Sequence, residues 1–369
     1  MKNIIDYVSE FKETFQSKSF NTVDSLVLSQ LAYLYFDGIV PSISNAADPI
    51  HLKEIKEKEN LDAAFINVRD SESNRKLFNA LLKNPRFHNL KLCFYVNKLD
   101  YEAEKQFSAI TFLLDDGTAY LAYRGTDASF VGWKEDFNMA FLTPIPSQEE
   151  AVCYLNFIGK QFSCDLKVGG HSKGGNLAVY SGIKCDPETQ KRITHIFSHD
   201  GPGFREEVIQ CKEYSIMKER IYKTLPESAL VGMLLQHIDT YSVVKSNRIG
   251  ILQHDPFSWA IKDNDFEYVQ TVAGSALLLN KAINAWLNSL DDEKRKMFIE
   301  SLYQVVKATE AKTYYDLTDN WQQKAVTSLA AIKNIDDETR WFIRKTIFSL
   351  IRLAMQNLKD EVRGQSEDK

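Results

Sequence analysis

One stretch, Asp165 to Tyr180, constrains this chain more than any other. It reads as a short apolar strand, a sharp turn, and a helix that opens at Gly175-Asn176-Leu177-Ala178-Val179. Inside it, Gly170-His171-Ser172-Lys173-Gly174 has the G-x-S-x-G spacing of a nucleophile elbow. The spacing has a steric origin. A serine at a strained strand-to-helix turn crowds the residues two before and two after it, and only small residues fit there. The turn lifts the hydroxyl above the sheet, and the following helix aims N–H groups and its positive dipole end at the reacting oxygen. The bland rival is a Gly-rich turn that merely packs a helix on a sheet. The strand before and the helix after favour the nucleophile.

The other elements are consistent with an enzyme of this type. Residues 1 to about 90 have a helical pattern, with Asn21 or Thr22 as an N-cap before an acidic first turn. Strands are expected at Leu92–Val96, Gln106–Leu113 and Thr118–Tyr123, the last two joined by an Asp115-Asp116-Gly117 turn. A helix around 148–162 leads to the elbow strand. Further strands are expected at Ile193–Ser198, Arg220–Leu225 and Thr240–Val244, and from about residue 265 the pattern is helical to the end. Strands alternating with helices predict an α/β fold, a mostly parallel central sheet with helices on both faces. We expect one domain over residues 1–264, including the N-terminal helices, and a helical C-terminal subdomain or cap over 265–369.

Composition excludes some classes. Lys+Arg 45 against Asp+Glu 50 gives no basic surface for nucleic acid. Five scattered cysteines form no C-x-x-C and read as reduced, mostly buried thiols, with no metal or cofactor implied. The N-terminus lacks an apolar signal region, and the longest uncharged apolar-rich run, Tyr268 to Asn280, falls short of the roughly 20 residues a membrane span needs. A cytoplasmic location is expected.

A serine nucleophile of this type needs a histidine and an acid later in the chain. His195 falls within a strand, His199 beside a tight loop, and His237 after a run of leucines. His254, in an irregular loop beside Asp255-Pro256, is the favoured base. For the acid, Asp200 stands at a strand end in the Gly/Pro-rich loop Asp200-Gly201-Pro202-Gly203, where open α/β sheets gather ligands. Glu227 is its rival, and Asp239 and Asp255 are weaker ones. Two donors must meet the oxyanion: the backbone N–H of Lys173, and Thr126 in the strand-end segment Arg124-Gly125-Thr126.

These motifs carry a family resemblance. Tyr123-Arg124-Gly125-Thr126, then Trp133 and Asp136, then Gly170 to Asn176 resemble the class 3 lipase-like α/β-hydrolases. More closely, the chain resembles a bacterial lipase-like family of unknown function. The carrying motifs there are G-H-S-K-G-G-N, D-G-P-G-F (Asp200 to Phe204), V-G-M-L (Val231 to Leu234) and Q-H-D-P-F-S-W (Gln253 to Trp259). The likeness covers roughly residues 20–262. It implies an α/β-hydrolase fold with Ser172 as nucleophile, His254 as base and Thr126 as oxyanion donor. Two departures stand out. The D-I-V-P motif that carries the class 3 acid aligns with Glu227-Ser228-Ala229-Leu230, which moves the acid to Asp200 or Glu227. Lys173 also replaces an apolar residue, placing a cation beside the nucleophile, either to bind an anionic substrate group or to pair with an acid.

The expected activity is hydrolysis of a carboxylic ester, on a small-molecule ester or lipid substrate, through a Ser172–His254–Asp200 triad and an acyl-enzyme, without cofactor or metal. Trp133, Phe137, Phe141, Phe257 and Trp259 are candidates for an acyl pocket, though such aromatics are more often core. The Trp341 to Arg352 segment leaves a peripheral membrane contact open, with a helix packed on the body favoured over it. The rival class is an inactive binding or regulatory protein on the same fold. A peptidase or acyltransferase is a third reading.

Overall fold

The computed structural model describes residues 1–300 apart from 46–47, 128–129, 236–239 and 298, together with Asp337 and Trp341. Residues 342–352 of the Trp341 to Arg352 segment, most of the expected C-terminal subdomain and the residues His237 and Asp239 therefore lie outside the described residues.

Among the described residues, nine strands form one sheet, in the order β1-β2-β3-β4-β5-β6-β7-β8-β11. They are β1 (Ile50–His51), β2 (Lys91–Asp100), β3 (Lys105–Leu113), β4 (Ala119–Tyr123), β5 (Leu166–His171), β6 (Ile193–His199), β7 (Ile221–Pro226), β8 (Ser242–Val244) and β11 (Tyr268–Val269). A separate pair, β9 (Ile261–Lys262) and β10 (Asp265–Phe266), forms a small antiparallel ribbon. Strands β4 to β8 run parallel. Strands β1 to β3 and β11 add antiparallel flanks. Every residue of β4 and β5 is buried, as expected for central strands covered on both faces. The helical pattern expected from residue 265 begins later, because β10 and β11 intervene before α11 (Gly274–Ser289).

The two faces have separate cores. On one lie α1 (Ile4–Glu10), α2 (Thr22–Leu31) and α4 (Ser71–Lys83), with α2 across β4, β5 and β6. The short α3 (Leu52–Ile55) follows β1. On the other lie α5 (Phe130–Asn138), α6 (Pro146–Gln161), α7 (Lys173–Lys184), α8 (Pro187–Arg192), α9 (Glu206–Ile209) and α10 (Lys212–Met217). Asn21 caps α2 as the sequence predicts. Its side chain accepts the Asp24 N–H at 2.9 Å, and Asp24 returns the bond to the Asn21 N–H. The cysteines are unbridged, but only Cys93 and Cys185 are buried; Cys153 is exposed, against expectation. No helix among the described residues is long and apolar enough to cross a membrane.

One buried ion pair fixes the first face. Arg86 donates to both oxygens of Asp24, at 2.8 and 2.5 Å, and its remaining N–H groups reach the carbonyls of Glu13, Lys18 and Ser19. Tyr7 adds its hydroxyl to Asp24 at 2.9 Å. This satisfies a fully buried guanidinium and holds α2 against the sheet, where α2 and the turn after it reach the histidines described below. Arg86→Met should leave the Asp24 carboxylate buried without its counter-charge and cost about 3–5 kcal/mol in urea unfolding. Asp24→Asn/Arg86→Met should recover most of that loss; an equal loss in both variants contradicts the assignment.

Candidate active site

The parallel register brings four strand ends together. Tyr123 is level with Gly170, His171 with His199, and His199 with Thr224. The segments that continue from these ends therefore converge at the carboxyl edge of the sheet, where ligands of open α/β folds bind. They carry Arg124 to Thr126, Ser172 and Asp200.

Ser172 sits at φ +58° and ψ −132°, a conformation that L-residues rarely adopt. The flanking glycines permit it. A Cβ on Gly170 would lie 2.3 Å from the Gly174 carbonyl carbon, and one on Gly174 would lie 2.1 Å from the Tyr123 oxygen. Helix α7 starts at the next residue. Among the described residues nothing accepts the N–H of Lys173, the first of α7, which leaves it free for another acceptor.

His254 Nε2 lies 2.9 Å from Ser172 Oγ, and its Nδ1 lies 2.6 Å from Asp200 Oδ2. The second oxygen, Asp200 Oδ1, accepts the Gly232 N–H at 3.0 Å. Asp200 itself is at φ +47° and buried, and its N–H is held by the Thr224 carbonyl at 2.8 Å. The structure thus brings together the three side chains chosen from the sequence. The rivals lie elsewhere. Glu227 accepts the Ser246 N–H at 3.4 Å. Asp255 caps the turn at Phe257 and pairs with Arg248 at 2.8 Å. His195 stacks between Phe197 and Tyr222.

Thr126 follows Gly125, where a Cβ would lie 3.1 Å from Ser172 Cβ, and its Oγ1 donates to Asp136 Oδ2 at 2.5 Å. Burial pushes the Asp136 carboxyl up to about 6, and its Oδ1 is sealed without a partner among the described residues. Gly125 is needed for the approach of this loop, since a Cβ there would lie 2.6 Å from the His171 carbonyl oxygen. The Lys173 side chain does not face the site. It is fully buried and pairs with Glu135 at 2.9 Å, which removes the anionic-substrate reading of that cation. Trp259 and Phe257 are core residues rather than pocket walls. Trp259 is fully buried, edge-on to His171 and His199, and its indole N–H is held by the Gln253 carbonyl.

His171 is a residue whose role sequence reasoning missed. Its Nε2 donates to the His254 carbonyl at 2.8 Å, and its Nδ1 accepts the Tyr33 hydroxyl at 3.0 Å. Burial, with His254 and His199 close by, holds this ring well below the usual histidine range, so it stays neutral. It braces the loop that presents His254. His199 is likewise neutral, pushed down to about 3 by burial, and bonds Ser25 on α2 at 2.9 Å. No local signal marks either role, because each depends on a partner more than 80 residues away in sequence. No group of three or more His, Cys, Asp or Glu among the described residues could hold a metal ion.

No curated protein matches the chain. Among solved structures it is similar to the M37 lipase, with 13% identity and a TM-score of 0.38 over 58% of this chain and 70% of that one. It is also similar to Rhizomucor miehei lipase in its propeptide complex, with 17% identity and a TM-score of 0.36 over 60% and 66% of the two chains. Lip2 lipase from Yarrowia lipolytica gives 16% identity and a TM-score of 0.33 over 53% and 77%. The parallel strands β4 to β8, the elbow after β5 and the helices on both faces make this an α/β-hydrolase fold. Residues 81–304, more than half of the 369, match the Mbeg1-like family, and the chain belongs to that family.

Proposed function

We propose that the protein is a serine hydrolase that cleaves a carboxylic ester. The observation that carries this reading is the continuous hydrogen-bonded chain from Ser172 Oγ through His254 to Asp200, at 2.9 and 2.6 Å. A buried carboxylate on Nδ1 sets the tautomer that leaves Nε2 free to take the serine proton. Ser172 Oγ attacks the acyl carbonyl, and His254 becomes an imidazolium facing Asp200. The leaving alcohol takes the proton from His254. Water then repeats the cycle in reverse and frees the acid. The Lys173 N–H and Thr126 meet the negative oxygen of each tetrahedral intermediate.

With Asp136 ionised, the Thr126 hydroxyl proton is turned toward that carboxylate. The Thr126 N–H then serves the oxyanion, and the hydroxyl is released to it when Asp136 carries its own proton. The Lys173 ammonium offers no free charge to a substrate, since it is already paired with Glu135.

Ser172→Ala or His254→Ala should lower turnover of p-nitrophenyl esters by about 10⁶, and Asp200→Asn by about 10⁴. Equal turnover in wild type and Ser172→Ala would remove the ester hydrolase and favour a binding protein on this fold. Asp136 gives a second check. Its folded-state value of about 6 lies above that of the unfolded chain, so burying it ionised costs stability. That cost is absent below about pH 4 and fully present above about pH 6. Wild type should therefore lose up to about 3 kcal/mol relative to Asp136→Asn across this window. A constant difference between the two proteins from pH 4 to 7 contradicts it.

A further inference from the structure

Two consecutive carboxylates on α5 hold the two sides of the candidate oxyanion site, and they do so differently. Asp136 grips Thr126 at 2.5 Å. Glu135, its neighbour, is fully buried and grips Lys173, the first residue of α7. Its Oε2 accepts the Lys173 ammonium at 2.9 Å, the Ser147 hydroxyl at 2.7 Å and the Gln106 N–H at 3.0 Å, while Oε1 accepts the Ser147 N–H at 2.9 Å. Lys173 Nζ completes its own set on the Gln106 carbonyl at 2.8 Å and the Gln106 side-chain oxygen at 3.2 Å. Every donor and acceptor of the pair is used. Burying two charges so completely, when an apolar pair of similar size would serve stability as well or better, points to a geometric role.

The packing of α5 agrees. A Cβ on Gly132 would lie 2.4 Å from Gln106 Oε1 and 2.7 Å from Thr126 Cγ2. The helix is thus clamped between the Thr126 loop and the Gln106 amide, the same amide that receives Lys173. No other residue fits at that position without displacing one side or the other.

We propose that Glu135 and Lys173 are positioning residues that set the gap between the two oxyanion donors. One peptide unit of α5 separates the carboxylate that fixes Thr126 from the carboxylate that fixes the start of α7, and hence the Lys173 N–H. Neither side chain touches substrate; the Lys173 side chain points away from the site and acts through its own main chain. The inference rests on the ester hydrolase reading above, since it concerns the transition state of that reaction. It also explains why a cation follows the nucleophile without any anionic group in the substrate.

The test is kinetic. Lys173→Met/Glu135→Gln removes both charges together, so neither is left buried alone, and it retains the main-chain N–H at residue 173. Misplacing a donor by about 1 Å lowers kcat by up to about 100-fold, so kcat on p-nitrophenyl butyrate should fall by about 10- to 100-fold. KM should stay within about threefold, because the ground-state carbonyl gains little from these donors. The acid limb of the kcat/KM profile should not move, since the His254–Asp200 pair is untouched. A merely structural pair would lower stability while leaving kcat of the folded fraction intact. If the double variant does not fold, Ser147→Ala decides instead. It deletes one bond to Glu135 and leaves the charges paired, and a fall of about three- to tenfold in kcat at constant KM is expected. Unchanged kcat in the folded variant, or a change confined to KM, overturns the proposal while active wild type keeps the hydrolase reading. Wild type that turns over no ester overturns both.

Discussion

The contact between Gly170 and Gly174 is the constraint on which the rest of this molecule depends. With any side chain at either position, the backbone on both sides of Ser172 would overlap the Tyr123 carbonyl or itself. Because neither has one, β5 can turn directly into α7, and Ser172 can occupy φ +58° at a local cost of about 1–3 kcal/mol. That cost is carried by the two central strands that flank β5 and by α7 packed against them. The serine has no freedom to relax, so the base and the acid are the groups that must be brought to it.

They are brought by elements on both faces of the sheet. Asp200 comes directly from β6, one strand away from the elbow, and is pinned by the Gly232 and Thr224 main chain. His254 comes from a short turn well beyond β8 and has no strand to hold it. Its carbonyl is held instead by the neutral ring of His171, which leans on Tyr33 from the N-terminal helices. The buried Arg86–Asp24 pair, far from the serine, thus belongs to the same chain of dependence: it seats α2, and the turn after α2 supplies Tyr33. On the opposite face, α5 does the corresponding work for the oxyanion side through Glu135 and Asp136. Polar groups buried on both faces serve placement, held by partners that fix their direction, with Asp136 Oδ1 left without one among the described residues.

The parts legible in the sequence were those with local rules. The elbow follows from the steric demand for glycine two residues either side of a strained serine. The Asn21 cap follows from its acidic first turn, and the hairpin between β3 and β4 from Asp115-Asp116-Gly117, where Gly117 adopts φ +82°. Asp200 is favoured for its strand-end place in the Gly/Pro-rich loop Asp200-Gly201-Pro202-Gly203, with Glu227 kept as a rival, and the contact of the Asp200 carboxylate with His254 Nδ1 is what separates the two. What was not legible has no local signature. The ammonium of Lys173 looks from the sequence like a group beside the nucleophile, yet a helix N-terminus can send its first side chain backward into the core, and only Gln106, Glu135 and Ser147 reveal that it does. Trp259 reads as a candidate pocket wall, with core the commoner role for such an aromatic, and its rings edge-on to two histidines place it in the core. The antiparallel strand β11 is two residues long, below the length at which alternation can be read.

The most direct measurement of the central claim is peptide mapping by mass spectrometry after treatment of the native protein with a fluorophosphonate. The reagent phosphonylates only a serine whose proton is taken by a positioned base and whose developing oxyanion is met by donors. A single adduct is expected, on Ser172, and it should be lost in His254→Ala while that variant remains folded. No adduct on folded wild-type protein, or an adduct that persists unchanged in His254→Ala, would contradict it.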